Sequence, residues 1–205
     1  MRSGRLRRLP AERRARLVEV AAREFADRGF AAASLNTIVT QCGMSKSSFY
    51  YIFESKEELF DFVVTESVAK LAAAIPVPAA EEFAAGDFWA RAEALLAAFA
   101  HTAAQDATLL DVGRMFYRAA PDTARSPVTA THVRAHTWVR DVLAVGRRRG
   151  AVRDDLPEDL QSDLAFGVLQ IFDRWSVNHL DELDNARTAA LTAAQLAALR
   201  RLLAP

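Results

Sequence analysis

The chain has 205 residues, of which 51% are hydrophobic and 25% charged, and its 26 basic and 26 acidic side chains give a formal net charge of zero. These fractions exclude an intrinsically disordered chain, and the neutral balance excludes a protein that is basic over its whole surface. The lone cysteine, Cys42, excludes an internal disulfide framework and a cysteine-based zinc site. No run of about 18 apolar residues and no secretory leader is recognisable, so we expect a soluble, cytoplasmic protein without a membrane partner.

Alanine and arginine dominate the composition. The chain contains 41 Ala, and 23 of its 26 basic residues are Arg. Both residue types rank high in intrinsic helix propensity. The alternating β-branched and aromatic runs that indicate strands are missing. The composition therefore predicts an all-α protein.

The charges are divided unevenly along the chain. Residues 1–60 carry 11 basic and seven acidic groups, a net charge of +4, so residues 61–205 carry −4. A basic N-terminal part joined to an acidic remainder suggests a nucleic-acid-binding head and a body with another role. A solvated charged face is the alternative interpretation.

Four helices are predicted before residue 76. The first covers residues 10–27, begins at a proline and is stopped by Gly29. Ser34 is a suitable N-cap for a second, short helix that reaches residue 41. Apolar residues repeat at helical spacing in both segments, which predicts that each helix buries one face.

A tight turn at residues 42–44 follows, in which Gly43 can adopt a positive φ without strain. A third short helix begins at Ser45, a good N-cap. Ser55 begins the fourth helix with an S-x-x-E capping box, and the prolines at 76–78 end it.

The remainder of the chain predicts a helical body whose segments are separated by proline and glycine. The segments are 87–104, 107–118, 127–149, 157–180 and 188–203. We expect two domains, a basic arm with a nucleic-acid-binding head at 1–54 and a helical body at 55–205, connected by the helix 55–75.

The two short helices and their glycine turn form a helix-turn-helix pattern, in which the second helix enters the major groove of DNA. A small core is expected beneath them, formed by Leu35, Ile38, Met44, Phe49 and Phe53 packed against Leu17, Ala21 and Phe25. If these apolar residues are buried, the polar side chains of the second short helix face outward. This helix is therefore the candidate recognition helix.

The candidate DNA contacts are polar or aromatic residues at the helix starts and along the recognition helix. They are Ser34, Asn36, Thr37, Ser45, Lys46, Ser47, Ser48, Tyr50, Tyr51 and Lys56. Lys46 is the candidate for reading guanine, whereas Lys56 lies in the first turn of the next helix, which suits a phosphate. The tyrosines can bond phosphate while their rings pack on sugars or thymine methyls, and core packing is their alternative role.

Residues 14–64 resemble the DNA-binding domain of TetR-family transcriptional regulators. The matching stretches are RLVEVAAREFADRGF and CGMSKSSFYYIFESKEELF, where the family typically shows a Gly-Val-Ser, a Lys, an aromatic Tyr-Tyr pair and a Phe-x-Ser-Lys-Glu run. The resemblance covers about a quarter of the chain. It implies a three-helix helix-turn-helix domain followed by a helical ligand-binding and dimerisation bundle. Ile52 replaces a His that is common in the family, so no phosphate contact is assigned there.

The stretch GAVRDDLPEDLQSDLAFGVLQ resembles the family's entry into a helix that often builds the dimer interface. The candidate interface residues are Leu164, Val168, Ile171, Trp175 and Leu199. A C2 homodimer would place two recognition helices about 34–36 Å apart, one DNA turn, on a palindromic operator in double-stranded DNA.

Large apolar side chains and a few polar ones in the body have the composition of a small-ligand pocket, although ordinary core is the alternative for each aromatic residue. The candidates are Trp89, Phe99, Met115, Phe116, His132, His136, Trp138, Phe166 and Gln170. His132 and His136 have metal-ligand spacing but lack the glutamate of a zincin motif, so we expect neither a metal site nor a cofactor.

Together these features predict a ligand-responsive DNA-binding regulator. The expected activity is repression, relieved when a small apolar or amphipathic effector releases the dimer from its operator. An enzyme or carrier is the first alternative, but no nucleophile–base pair or phosphate loop is visible, and we expect no enzyme. A ligand-free protein that bridges DNA to another protein is the second. The arm with Arg2, Arg5, Arg7 and Arg8 could reach a minor groove or be a tail without a specific role.

Overall fold

The computed structural model describes residues 9–118 and 126–205, and all regular elements in these ranges are helical, which confirms the all-α prediction. The α-helices are α1 Ala11–Ala32, α2 Leu35–Gln41, α3 Lys46–Ile52, α4 Lys56–Ala74, α5 Phe88–Gln105, α6 Ala107–Arg118, α7 Pro127–Arg148, α8 Glu158–His179 and α9 Asn185–Leu203. Short 3-10 helices cover Ala80–Ala84 and Leu180–Glu182. None of the described helices has the length and hydropathy needed to cross a membrane.

Contacts divide the chain into two compact units. The first comprises the residues up to Leu71 together with Ala107–Thr129, and the second comprises Ala72–Asp106 and Ala130–Pro205. Helix α6, which the sequence assigns to the body, therefore belongs with the N-terminal helices and packs against α1. The functional division at residue 54 stays a prediction.

The core of the first unit is the one expected from the sequence. Six of the eight predicted core residues are at most 1% exposed, and Leu35 and Met44 are partly buried against them. The aromatic rings interlock: Phe25 and Phe60 meet edge to face at 5.2 Å, and Phe49 and Phe53 lie 5.3 Å apart. Such pairs stabilise the core beyond their buried area. The buried rings fix α2 and α3 on α1 and α4.

Helical geometry breaks at Gly29, where the sequence predicts that the first helix stops. Gly29 has φ 73° and ψ 163°, and one further turn reaches Ala32 beyond this kink. A side chain with a Cβ is strained at that φ, whereas glycine is not. The kink directs the chain from α1 toward the start of α2.

The start of α4 confirms the serine half of the predicted capping box. The hydroxyl of Ser55 accepts a hydrogen bond from the backbone N–H of Glu58 at 3.1 Å. The carboxylate of Glu58 accepts from the N–H of Glu54 at 2.7 Å, one residue earlier than the standard box. Ser55 and Glu58 therefore cap the N-terminus of α4 together.

The second unit encloses its own core, built from α5, α7, α8 and α9. The indole N–H groups of its tryptophans bond backbone carbonyls, Trp89 to Ala151 at 3.0 Å and Trp138 to Pro78 at 2.8 Å. Because a buried indole N–H requires a partner, these bonds allow both large rings to be buried or half-buried.

The entry into α8 is fixed by a buried glutamine. Gln161, 1% exposed, accepts from the Arg147 guanidinium at 2.9 Å and donates to the carbonyl of Arg153 at 2.9 Å. Arg147 also donates to the carbonyl of Leu156 at 2.9 Å. These bonds connect the end of α7 to the loop before α8, so they fix where α8 begins.

Candidate functional site

The turn between α2 and α3 is closed by backbone hydrogen bonds. The N–H of Met44 donates to the carbonyl of Val39 at 3.0 Å, and the N–H of Gly43 donates to Thr40 at 3.1 Å. Gly43 has φ 61°, as the turn requires. This is the Schellman arrangement, which satisfies the last carbonyls of a helix. It fixes the direction of α3 relative to α2.

Serine caps begin both short helices, as predicted. The Ser34 hydroxyl accepts from the N–H of Thr37 at 3.3 Å, and the Ser45 hydroxyl accepts from the N–H of Ser48 at 3.0 Å. The hydroxyls of Ser47 and Ser48 lie 2.9 and 2.8 Å from the Ser45 oxygen. These bonds satisfy N–H groups that lack intrahelical partners. They also gather three hydroxyls at the N-terminus of α3.

Most of the predicted DNA contacts lie on the surface. Asn36, Ser45, Lys46, Ser47 and Ser48 are exposed, and Ser34 and Thr37 are partly buried. The tyrosines of α3 are 57% (Tyr50) and 55% (Tyr51) exposed, so core packing is not their role in this chain, whereas neighbouring Phe49 is 1% exposed. The exposed face of α3 thus presents an ammonium, hydroxyls and two aromatic rings.

Lys56 is placed differently from the other candidates. Its ammonium donates to the backbone carbonyls of Ala31 at 2.9 Å and Ala33 at 3.2 Å. The same ammonium lies 4.9 Å from the centre of the Phe30 ring, at cation–π distance. The side chain is therefore directed at the α1–α2 connection.

Glu24 is a residue that the sequence reasoning missed. Its carboxylate is buried and accepts the backbone N–H of Ser34 at 2.9 Å. Arg28 lies 3.4 Å away on the next turn of α1. From the sequence alone, a glutamate in a charged amphipathic helix is expected to be solvated. Only its position on the same face as Leu17 and Phe25 could have signalled burial.

The predicted pocket residues fall in both units. Met115, fully buried, and Phe116 belong to the core of the first unit, whereas the remaining candidates belong to the second. Open volume in the second unit is a cleft of about 400 Å³ between α5 and α9, lined by His101, Thr188 and several alanines. A second cleft, of about 300 Å³, includes Trp138. The pocket assignment stays a prediction.

His132 and His136 lie beside Phe166 in the second unit, with ring centres 6.4 and 5.0 Å from the Phe166 ring. Burial lowers the pKa of His132, which favours the neutral imidazole. Nε2 of His136 lies 2.9 Å from a carboxylate oxygen of Asp163. Within residues 9–118 and 126–205, no three His, Cys, Asp or Glu side chains are grouped so that they could hold a metal ion.

An apolar stripe runs along the exposed face of α8. Leu164, Ile171 and Trp175 are exposed, and Leu160 extends the stripe toward the start of the helix. Val168 is partly buried against the second core. Leu199 is 5% exposed in that core, because α9 turns it inward, so its side chain is already covered within the chain. The sequence alone does not show which face of α9 is buried within the chain, so it places Leu199 at the dimer interface.

The arginines of the N-terminal arm, Arg2, Arg5, Arg7 and Arg8, lie outside the described residues. The groove and tail interpretations of the arm therefore both stay predictions.

These features define a helix-turn-helix protein with a helical body. Residues 17–63 match the family model described as "Bacterial regulatory proteins, tetR family". The match covers α2 and α3 with parts of their flanking helices, less than a quarter of the chain.

Curated relatives each match about a quarter of the chain. The HTH-type transcriptional regulator YdgC of Bacillus subtilis (strain 168) is 44% identical over 55 residues, 27% of this chain and 28% of that protein. The HTH-type transcriptional repressor KstR2 of Mycolicibacterium smegmatis is 39% identical over 57 residues, 28% of each chain. For YerO of Bacillus subtilis the values are 44% over 48 residues, 23% of this chain and 17% of that protein. The chain thus matches under a third of these relatives' lengths.

Solved structures match nearly the whole chain. A TetR family transcriptional regulator from Chloroflexus aurantiacus J-10-FL is 24% identical, with a TM-score of 0.67 over 96% of this chain and 90% of that one. The regulator FadR from Bacillus subtilis, solved with stearoyl-CoA, is 17% identical, with a TM-score of 0.65 over 90% and 96%. At these identities the similarity establishes the fold, including the helical body.

Proposed function

We propose that the chain is a transcriptional repressor that a small apolar or amphipathic effector releases from a palindromic operator. The observation that carries the proposal is the exposed face of α3. It presents Lys46, two serine hydroxyls and two tyrosines on a helix whose direction is fixed by a hydrogen-bonded turn. A rigid helix with such a face suits the major groove of DNA.

The polar and aromatic groups of α2 and α3 divide into two kinds of contact. Lys46, at the N-terminus of α3, reads base edges, for which guanine O6 and N7 are the preferred acceptors. The hydroxyls of Tyr50 and Tyr51 bond phosphates, and Ser34, Asn36 and Thr37 do the same at the start of α2. Ser45, Ser47 and Ser48 allow close approach because their side chains are short. Phosphate contacts position the protein, and the base contact supplies sequence preference.

A homodimer is supported by the stripe on α8. Leu160, Leu164, Ile171 and Trp175 are spaced by four, seven and four residues, so they share one helix face. Exposed apolar side chains that line up in this way are typical of an interaction surface. A second copy seated on the same stripe gives a C2 dimer and hence two recognition helices for a palindromic site.

An effector of largely apolar character is supported by the fold. FadR, which shares the fold, was solved with stearoyl-CoA. In this chain we propose that the effector binds in the second unit, whose candidate lining residues are aromatic with a few polar groups. The effector must bind the released state better than the operator-bound state, since equal affinity for both would shift nothing.

A mobility-shift experiment on the DNA upstream of the protein's own gene tests the proposal. We expect a retarded complex that survives excess unrelated DNA and forms at a palindrome. If the purified protein binds neither this DNA nor any genomic fragment in a genome-wide selection, the regulator proposal is wrong.

Lys46→Ala separates base reading from general affinity. We expect the variant to lose discrimination at one base pair per half-site, on the order of 1–3 kcal/mol, because a bidentate contact to a base is lost. The measurement is a competition series with operators changed one pair at a time. Lys70→Ala, which removes an equal charge from α4, should keep the wild-type preference. Unchanged preference in Lys46→Ala contradicts the base-reading role.

A further inference from the structure

The connection between α1 and α2 has a cation at the end of α1. The Lys56 ammonium lies 2.9 Å from the carbonyl oxygen of Ala31 and 3.2 Å from that of Ala33, over the face of Phe30. The last carbonyls of a helix have no intrahelical partners and carry partial negative charge. The Lys56 ammonium therefore satisfies two carbonyls of the connection that follows the kink at Gly29.

The other end of the connection has an anion. One carboxylate oxygen of Glu24 accepts the backbone N–H of Ser34 at 2.9 Å, at the start of α2. The Glu24 side chain is 10% exposed and has Arg28 at 3.4 Å. A carboxylate at a helix N-terminus interacts favourably with the positive end of the dipole. Each helix end thus faces a side chain of the opposite charge.

We propose that Lys56 and Glu24 form a loop clamp that positions α2, and through the fixed turn also α3, for DNA binding. Two of the three N–H donors of Lys56 are directed at carbonyls, so its contribution to operator affinity comes through the loop and not through a phosphate. Lys56 and Glu24 are positioning residues. This inference rests on the operator binding proposed above.

The test compares operator affinity over a range of salt concentrations. We expect Lys56→Met and Glu24→Ala each to weaken binding about tenfold, the order of effect of losing a charge-assisted hydrogen bond. The direction of the Glu24→Ala effect is informative, because removing a negative charge near bound DNA would by electrostatics alone strengthen binding.

The salt dependence distinguishes positioning from direct contact. A lysine that neutralises a phosphate contributes about 0.9 to the slope of log affinity against log salt. We expect Lys56→Met to keep the wild-type slope. A slope reduced by about 0.9, with Glu24→Ala binding as tightly as wild type, would show a phosphate contact and overturn the clamp.

Conservative variants and a matched control complete the set. Lys56→Arg keeps donors for both carbonyls, and Glu24→Gln keeps an acceptor for the Ser34 N–H, so both should recover most of the affinity. Lys70→Met removes the same charge from the same helix and should bind like wild type. No recovery in either conservative variant contradicts the proposal.

A readout without DNA separates this inference from the proposed function. We expect faster hydrogen exchange at the amides of Ser34 and α2 in Lys56→Met and Glu24→Ala, but not in Lys70→Met. If wild type binds no operator, the proposed function fails while the exchange data still decide whether the clamp exists. If Lys56→Met does not fold, Lys56→Gln, which keeps a neutral donor, replaces it. Wild-type exchange in the folded variants overturns the clamp.

Discussion

Single charged residues in the first unit are held by local geometry. Asp111, on α6, is 8% exposed; its carboxylate accepts from Arg114 at 3.1 Å and lies 3.9 Å from Arg23 on α1. Burial raises the pKa of Asp111, although both arginines oppose the rise. Burial, with a smaller contribution from the nearby Asp27 carboxylate, thus favours the protonated form of Asp111 against its two arginine partners.

The raised pKa predicts a pH dependence of stability. The folded chain holds the Asp111 proton more tightly than the unfolded chain does, so the contribution of this residue to stability falls as pH rises from about 4, the unfolded value, through the raised folded value. Asp111→Asn removes this titration. We expect its free energy of unfolding, relative to wild type, to increase over that window in urea titrations at successive pH values.

Asp155 provides the control of opposite sign. The hydrogen-bonded ion pair with Arg153 lowers the pKa of Asp155. The free energy of unfolding of wild type, relative to that of Asp155→Asn, should therefore increase as pH rises through the acidic range. If the free energies of unfolding of Asp111→Asn and wild type differ by the same amount at every pH, the pKa of Asp111 is not raised in the folded chain.

Among the elements, α8 carries the strongest indication of an interface. Its N-terminal turns are fixed by Gln161, while its outer face exposes Ile171 (55%) and Trp175 (44%) to solvent. Trp175 stacks on His179 at 4.3 Å between ring centres, which keeps the indole in place on this face. An apolar face on a well-anchored helix suits association with a second copy.

Ile171→Glu tests this surface. A glutamate without a partner at an apolar interface is costly to bury, so we expect the variant to sediment at the mass of one chain while wild type sediments at twice that mass. Val77→Glu is the matched control, since Val77 is 46% exposed and lies outside α8, and it should stay dimeric. A wild-type monomer, or an Ile171→Glu dimer, would rule out the stripe as the interface.

At the scale of the whole molecule, the neutral net charge is the sum of a basic N-terminal segment and an acidic remainder. The net charge of zero combines +4 in residues 1–60 with −4 in the remainder. A modest positive charge limits sequence-independent attraction to phosphates. Under the proposed function, we therefore expect operator selection to depend on a few placed residues such as Lys46. The two compact units also have separate cores, so a substitution can be directed at one of them.

Leu199→Ala tests the assignment of that residue to the second core. Removing a buried leucine leaves a cavity, and we expect the free energy of unfolding to fall by about 2–5 kcal/mol in a denaturant titration. The mass in solution should stay that of wild type. Val77→Ala, at an exposed site, should change stability by less than about 0.5 kcal/mol. A monomeric but equally stable Leu199→Ala variant would instead place Leu199 in the interface.

The sequence by itself determined the helices, their caps and which face of α3 is exposed. Alanine content, serine caps and glycine or proline stops act within a few residues, so they can be read without the fold. The exposure of Tyr50 and the burial of Phe49 followed from helical spacing, and the family resemblance rested on the same local stretch.

Only the tertiary structure decided which partner each long side chain meets. Lys56 reaches carbonyls 23 and 25 residues away in sequence, and the carboxylate of Glu24 bonds an amide ten residues on. Met115 and Leu199 proved to be core residues of different units. These outcomes depend on how helices pack, and helical periodicity gives the apolar face of a helix but not the neighbour that covers it.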